Sequence, residues 1–301
     1  MKVISIEDYI YDFLDYIRVE RNYSDYTETS YETDLDNYYK YIKSKRINFK
    51  NITYKQITLY TKYLKEEKNL NSTSINRHLS ALRSFYNFLV LKGICISNPF
   101  KMVSSLKKPI LLPNFMKYSE FEQMINSCDD SALGIRNRCL LELLLSTGAR
   151  IGEIIKIEID DINFSNNEIK VLGKGNKERI VYFNEHTHDA LKEYINGPRD
   201  ELLNGNSSDR LFINHIGGEL TTRGVRDIID KIILKSSINT KVTPHTFRHT
   251  FATMLLNEGC DLKSVQELLG HANLSTTSIY THVTNDRIKD IYLHTHPRAK
   301  K

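Results

Sequence analysis

The sequence has 301 residues and no run of about 18 apolar residues, the length that a membrane-spanning helix needs. This absence predicts a protein without a membrane span or anchor. The first ten residues, MKVISIEDYI, lack the basic flank, the long apolar stretch and the small-residue cleavage site of a secretory signal. We therefore expect a cytoplasmic protein.

Cysteine is also scarce. The four cysteines, Cys95, Cys128, Cys139 and Cys260, contain no CxxC pair, which favours reduced structural thiols over a disulfide framework or a zinc knuckle. The glycine-rich stretch GKGNK lacks the spacing of a nucleotide-binding loop and the helix that follows such a loop. The sequence therefore does not support ATP binding.

Charge is distributed unevenly along the chain. Residues 1–36 carry 3 Lys/Arg against 10 Asp/Glu, whereas residues 37–108 carry 15 Lys/Arg against only 2 acidic residues. Positively charged side chains at this density repel one another unless a polyanion such as the DNA backbone neutralises their charge. The alternative is a solvated lysine-rich surface from an AT-rich genome, and charge alone does not choose between the two.

The first hundred residues show the apolar spacing of helices. Ser5 and Asp8 form a capping-box pattern at the first of them. The segment 72–92 has one apolar face and one polar face, and the polar face suits a DNA groove. It contains Asn76, Arg77, Ser80, Arg83, Ser84 and Asn87. Residues 100–114 follow, contain prolines and predict a linker.

The second half mixes helices with strands. Segments EIKVL and ERIVYF flank GKGNK and predict a β-hairpin over 168–183 with Lys174 at its tip. A buried helix is predicted around ALGIRNRCLLELLLSTG, ending at Gly148. Further helices are predicted near 185–196, 222–235, 244–258, 261–270 and 274–283, before a basic tail, with Thr243 and Asp261 as caps of the third and fourth. The expected domains are thus 1–99, which is helical, a linker at 100–114, and a mixed α/β domain at 115–301.

No residue is convincing as a catalytic group when it is taken singly. Arg150 follows a glycine that ends a helix, and an ordinary ion pair with Glu153 would explain it. Lys174 lies at a predicted hairpin tip, where a lysine is usually a solvated surface residue without a catalytic role. In PHTFRHTFAT, His245 and Arg248 lie three residues apart and share a helix face near an N-terminus, which attracts phosphate. An alternative interpretation takes His245, His249 and His271 as metal ligands, but the sequence has no carboxylate at the spacing of a further ligand.

Four stretches in order, STGARIGEI, VLGKGNKERI, HTFRHTFAT and LGHANLSTTSIYTHV, resemble the successive signatures of tyrosine recombinases, the phage integrase family. The N-terminal helices and the HPRA-containing tail resemble the Xer subgroup over nearly the full chain. The resemblance implies a catalytic set with no signature position missing, namely Arg150, Lys174, His245, Arg248, His271 and Tyr280.

The resemblance also implies the roles of these residues. Tyr280 attacks the phosphodiester and forms a 3′-phosphotyrosyl bond, His245 accepts its proton, and Lys174 protonates the leaving 5′-oxygen. Both arginines and His271 stabilise the charge on the non-bridging oxygens. Neither a metal nor ATP is then expected as a cofactor.

The expected fold class is mainly α with a small β-sheet, and the resemblance implies that a core-binding domain and a catalytic domain form a clamp on DNA. The expected partners are a double-stranded recombination site and three further subunits in a tetramer, either identical or of a partner recombinase. Arg77 and Arg83 are candidate DNA contacts. The tail 284–301 carries Ile288, Ile291 and Tyr292 at helical spacing, and it packs either on its own domain or on a neighbouring subunit.

Several functions stay open at this point. Within the family, resolution of DNA dimers in chromosome segregation competes with integration of a mobile element and with DNA inversion. More remote alternatives are an enzyme similar to type IB topoisomerases, a metal nuclease and a non-catalytic DNA-binding protein. The N-terminal helical domain disfavours the topoisomerase, and the complete signature set disfavours the non-catalytic protein.

Overall fold

The structure is a computed structural model. It describes residues 5–21, 23, 25–107, 115–173, 177–236, 238, 240, 242–270 and 282–299, with the backbone alone at 25, 26 and 282–286. The chain divides into two compact units, Met1–Leu111 and Leu112–Lys301, and each has its own apolar core. Helices dominate both units and a small sheet lies in the second, which confirms the predicted fold class. No helix within the described ranges is long and apolar enough to cross a membrane.

The first unit is helical because its sequence combines apolar residues at helical spacing with capping residues at the helix starts. The predicted capping box is present, since the main-chain N–H of Ser5 donates to the Asp8 carboxylate at 2.8 Å and the Ser5 hydroxyl accepts from the Asp8 N–H at 3.3 Å. The stripes meet in a core of aromatic rings, in which the hydroxyls of Tyr38 and Tyr86 lie 2.6 Å apart. The described helices are α1 (Ile6–Val19), α2 (Asp25–Ser44), α3 (Tyr54–Glu66) and α4 (Ser72–Leu91), with 3-10 turns at Phe49–Asn51 and Pro99–Met102.

The start of the predicted linker belongs to this first unit. Phe100 is fully buried in its core, and Val103 and Leu106 pack against that core. The Asn76 side chain exchanges two hydrogen bonds with the main chain of Leu106, at 3.0 and 2.8 Å. The prolines predicted a break in regular structure, but they gave no sign that the apolar side chains between them reach back to the helices. Residues 108–114, in the remainder of the predicted linker, lie outside the described residues.

The second unit combines helices with one antiparallel sheet. The predicted hairpin is present, with Ile169 opposite Val181. A two-residue strand adds to its edge, and it was not predicted because two residues show no alternation. The described elements are α5 (Tyr118–Asn126), α6 (Ala132–Thr147), α7 (Ile151–Ile154), β1 (Ile162–Asn163), β2 (Glu168–Leu172), β3 (Glu178–Tyr182), α8 (Glu185–Ile195), α9 (Pro198–Leu203), α10 (Thr222–Ser236), α11 (Pro244–Asn257), α12 (Leu262–Leu269) and α13 (His282–Thr295), with a 3-10 turn at Ile159–Asp161.

Helix α6 is the centre of this unit. All of its residues from Cys139 to Thr147 are buried, as its largely apolar sequence predicts. The helix ends at Gly148, whose φ of +56° is left-handed. A Cβ at Gly148 would lie 2.5 Å from the ring of Phe251, so only glycine permits this close approach of α6 to α11.

The C-terminal segment is helical beyond the end of the last helix that the sequence predicts. Residues 274–281 of the predicted last helix lie outside the described residues, and the described helix α13 continues beyond Val283 to Thr295. Tyr292 is buried against Phe251 and Leu255, and Ile288 and Ile291 pack on the same cluster. The described part of the tail therefore packs on its own unit, one of the two arrangements that the sequence left open.

Candidate active site

Arg150 lies in the turn between α6 and α7, two residues after the left-handed Gly148. Its Nη1 donates to Oε1 of Glu153 at 2.8 Å, and its main-chain N–H donates to Oε2 of the same carboxylate at 2.8 Å. Glu153 is only 4% exposed, whereas the Arg150 side chain is 41% exposed. The ion pair that the sequence offered as an ordinary explanation is thus present, and it holds a guanidinium that still faces solvent.

Arg248 lies in α11, one turn after the predicted cap at Thr243. Its Nη1 donates to the main-chain oxygen of Gly148 at 2.8 Å, and its Nη2 donates to that of Leu269 at 2.7 Å. One side chain therefore joins α11 to the end of α6 and to the end of α12. His271, a predicted catalytic residue, lies outside the described residues, but Gly270 directly before it is within them.

A third guanidinium, that of Arg179 on β3, pairs with Glu153, the carboxylate that also holds Arg150. Its Nη2 donates to Oε2 of Glu153 at 2.7 Å, and the side chain is 17% exposed. Sequence reasoning missed Arg179, because the alternation of ERIVYF predicts a strand but gives no reason to single out one of its polar residues.

Positive charge exceeds negative charge in this cluster. Burial, and after it the positive charges of Arg150 and Arg179, lower the pKa of Arg248 to about 10. The negative charge of Glu153 opposes that shift. Arg248 remains protonated at neutral pH, so the cluster contains three guanidinium groups and one carboxylate, which Arg150 and Arg179 pair with directly. Such a site has spare donors and spare charge for an anion with several oxygens, such as a phosphate.

His245 is exposed in the first turn of α11, one helical turn before Arg248. This is the placement that their spacing predicts. The other predicted catalytic residues, Lys174, His271 and Tyr280, all lie outside the described residues. Within the described part of the chain, no group of three or more His, Cys, Asp or Glu side chains is placed to hold a metal ion.

The two arginines predicted to contact DNA make different contacts on α4. Arg77 donates to the fully buried Asp34 at 2.9 Å while its side chain stays 42% exposed. Arg83 donates through Nε to the main-chain oxygen of Phe100 at 3.2 Å and through Nη2 to that of Val103 at 3.1 Å. Arg83 thus fastens the segment after α4, a structural use that its place on a polar helix face did not indicate.

Comparison with known proteins assigns both units. Residues 114–287 match the model of the phage integrase family, and residues 10–93 match that of the phage integrase N-terminal SAM-like domain. A tyrosine recombinase XerC of Anoxybacillus flavithermus is 44% identical over 291 residues, which are 95% of this chain and 97% of that protein. A XerC of Oceanobacillus iheyensis is 42% identical over 298 residues, 98% of this chain and 97% of that protein.

Solved structures agree with this assignment. The XerH site-specific recombinase bound to palindromic difH substrate, a post-cleavage complex, is 25% identical with a TM-score of 0.68 and covers 92% of this chain and 78% of that one. The Tn1549 transposon integrase in complex with circular intermediate DNA has a TM-score of 0.69 at 18% identity and covers 93% and 98% of the two chains. This second likeness concerns the fold alone.

The fold, the arginine cluster and these matches define one class of protein. The chain belongs to the phage integrase family, the tyrosine recombinases. Within that family it is a Xer-like site-specific recombinase, similar to the XerC proteins over nearly its whole length. The resemblance that the sequence motifs indicate is thereby confirmed.

Proposed function

We propose that this chain cuts and rejoins duplex DNA at a specific site through a 3′-phosphotyrosyl bond to Tyr280. The observation that carries the proposal is that Arg150, held by the buried carboxylate of Glu153, lies within electrostatic reach of Arg248, which the main-chain oxygens of Gly148 and Leu269 hold. A phosphodiester under attack gathers negative charge on its non-bridging oxygens, and guanidinium groups fixed in advance stabilise that charge.

Each member of the catalytic set has one role in this proposal. Arg150 and Arg248 bind the two non-bridging oxygens, with a further hydrogen bond from His271. His245 takes the proton of Tyr280, whose ordinary pKa near 10 makes the neutral phenol a weak nucleophile. Lys174 gives a proton to the departing 5′-oxygen. The phosphotyrosyl bond keeps the energy of the broken phosphodiester, so the 5′-hydroxyl of another strand can reverse the reaction.

Neither a metal ion nor ATP takes part in this scheme. Guanidinium groups supply the positive charge that a Mg²⁺ pair supplies in many nucleases. Since cleavage and rejoining exchange one phosphodiester for another of similar energy, no nucleotide hydrolysis is needed to drive them.

The proposed DNA partner explains the charge pattern of the first unit. Residues 37–108 would contact phosphates, with Arg77 on the exposed face of α4 as a candidate for groove contact, and the two units would clamp the duplex. Recombination exchanges four strands between two sites, so we propose a tetramer on DNA, built from this chain alone or with a partner recombinase. Resolution of DNA dimers in chromosome segregation is the proposed role, with integration and inversion as alternatives.

The tail enters the same proposal. Docking of residues 284–301 on a neighbouring subunit would require α13 and the residues after it to leave their own unit. Arg298 would then separate from Glu142, with which it shares a bond of 3.0 Å between Nη2 and Oε1. Assembly and tail release would therefore be coupled.

The test begins with DNA that is cross-linked to the protein in cells, recovered and sequenced. A nicked duplex carrying the recovered site is then incubated with the protein in EDTA without ATP. We expect a covalent protein–DNA product on a denaturing gel, because the nick lets the short leaving fragment diffuse away. A duplex of scrambled sequence is the control. Cleavage that disappears in EDTA, or that leaves no protein on the DNA, would contradict the proposal and favour a metal nuclease.

A further inference from the structure

The side chain of Arg179 on β3 is largely buried, unlike that of a strand residue whose charge lies at the surface. Its side chain is 17% exposed and reaches a carboxylate that is 4% exposed. Charged groups are costly to remove from water unless they are paired with good geometry. The bond from Nη2 to Oε2 of Glu153, at 2.7 Å, provides such a pairing. Glu153 in turn holds the side chain and the main chain of Arg150.

The same side chain lies against the turn that ends α12. A Cβ at Gly270 would be 2.4 Å from Nε of Arg179 and 2.7 Å from its Cδ. Gly270 is also left-handed, with φ of +66°, so glycine is favoured there by its backbone, and a larger residue would displace the arginine side chain. Arg179 thereby touches the residue that directly precedes His271.

Arg179 also belongs electrostatically to the arginine cluster, since its charge helps to lower the pKa of Arg248. Its position on β3 places it between two structures that carry catalytic candidates. One is the turn of Arg150, reached through Glu153, and the other is the end of α12, reached through Gly270.

We propose that Arg179 is a positioning residue for this recombinase. It fixes Glu153, which orients Arg150, and it supports the turn from which the chain continues to His271. Arg179 acts through these neighbours and not on the phosphate itself. This inference rests on the proposed function of the site, and it extends that site by one residue.

The test replaces Arg179 by Met, which keeps most of the aliphatic length and removes the charge. The matched control is Arg199→Met. Arg199 is an arginine of the same unit that is buried still more deeply, with a 9% exposed side chain, and it donates to the main-chain oxygens of Ser208 and Arg210. Thermal unfolding of both variants measures the structural cost of losing a buried guanidinium.

Binding and cleavage are then measured separately, by gel shift and by formation of the covalent product on the nicked duplex. We expect Arg179→Met to bind as wild type and to cleave about 10²-fold more slowly, the effect of misplacing a catalytic group by about 1 Å. Arg199→Met should cleave at the wild-type rate. Arg179→Lys should recover part of the loss, because its ammonium can still reach Glu153 but cannot also lie flat against Gly270.

A double variant shows whether Arg179 acts through Arg150. If it does, Arg179→Met should slow the Arg150→Ala protein by far less than it slows wild type, because the group that it positions is already gone. Fully multiplicative losses would overturn the inference, and so would an Arg179→Met protein that cleaves as fast as Arg199→Met. A wild-type protein that forms no covalent product would overturn the proposed function as well, which distinguishes the two failures.

Discussion

The main-chain oxygen of Gly148 accepts a hydrogen bond of 2.8 Å from Arg248, a residue 100 positions further along the chain. The other arm of the same guanidinium holds the oxygen of Leu269. Gly148 is the left-handed residue that ends α6, and Leu269 directly precedes Gly270, the left-handed residue that ends α12. A forked side chain can hold two such ends at once, and this explains why the residue between them is an arginine.

Arg248→Lys should therefore be damaging although it keeps the charge. A single ammonium cannot hold both carbonyls in the geometry of the fork, so at least one of them loses its partner at a cost of about 1–3 kcal/mol. We expect a lower free energy of unfolding in urea together with slower cleavage of the nicked duplex. The control is Arg226→Lys on the exposed face of α10, which should change neither quantity. An Arg248→Lys protein as stable as that control would contradict this account.

Local signals predicted much of the fold. Ser5, Thr243 and Asp261 cap their helices as expected, and Gly148 ends α6. These signals work because a cap is decided by residues within one helical turn. The motifs likewise singled out Arg150 and Arg248, which the structure brings into one cluster.

Contacts between distant residues were not predictable in the same way. Nothing near Glu142 in the sequence points to Arg298, which lies 156 positions away. The polar neighbours of Arg83 on α4 gave no sign of the main chain that it binds, which follows 17 and 20 positions later. Arg179 was missed for the same reason, since its partners Glu153 and Gly270 come from separate elements.

The pair of Glu142 and Arg298 provides a prediction on stability. Their side chains are only 6% and 11% exposed, and Arg298 also lies over the rings of Tyr118 and Phe121. Glu142→Gln leaves a buried guanidinium without its counter-charge, so the free energy of unfolding should fall by about 3 kcal/mol or more.

The control is Glu158→Gln. Glu158 pairs with Arg210 at 2.8 Å but is 49% exposed, and its loss should cost under about 1 kcal/mol. Chemical denaturation of the two variants gives the comparison. Equal losses would show that the Glu142 pair does not stabilise the tail on its own unit.

His296 gives the tail a dependence on pH. It is fully buried and stacks on Tyr292 with ring centroids 5.0 Å apart. Burial, and secondly the charge of Arg298, lower the pKa of His296 to about 4, although a hydrogen bond with the main chain of Leu145 opposes the shift. The unfolded chain, with an ordinary histidine pKa near 6.5, then binds a proton that the folded protein does not.

Stability from this group is therefore complete above about pH 6.5 and is lost as the pH falls toward about 4. The predicted loss is on the order of 3 kcal/mol, from about 1.4 kcal/mol per pH unit. His296→Phe keeps the stacking and removes the titration. Melting temperatures of both proteins between pH 7 and pH 4 should diverge, with wild type falling more steeply. Parallel curves would show that His296 does not contribute to the dependence.

Lys174 can be tested through the leaving group. If it protonates the departing 5′-oxygen, Lys174→Ala should cleave an ordinary nicked duplex poorly. A duplex with sulfur at the 5′-bridging position should be cleaved at nearly the wild-type rate, because a thiolate departs without a proton. Lys177→Ala, in the same hairpin, is the control and should need no such rescue. A Lys174 variant that the sulfur does not rescue would contradict the role of general acid.

The central claim is that Tyr280 is the nucleophile, and the most direct measurement is the covalent product of Tyr280→Phe on the nicked duplex. The control is Tyr292→Phe, which removes the hydroxyl of a buried tyrosine twelve residues later in the chain, and with it the contact of 3.0 Å with Ser146. Both variants should bind DNA as wild type does. We predict covalent product with wild type and Tyr292→Phe and none with Tyr280→Phe, and digestion of the wild-type product should yield DNA attached to the peptide that contains Tyr280. Covalent product from Tyr280→Phe, or DNA attached to any other peptide, would contradict the account.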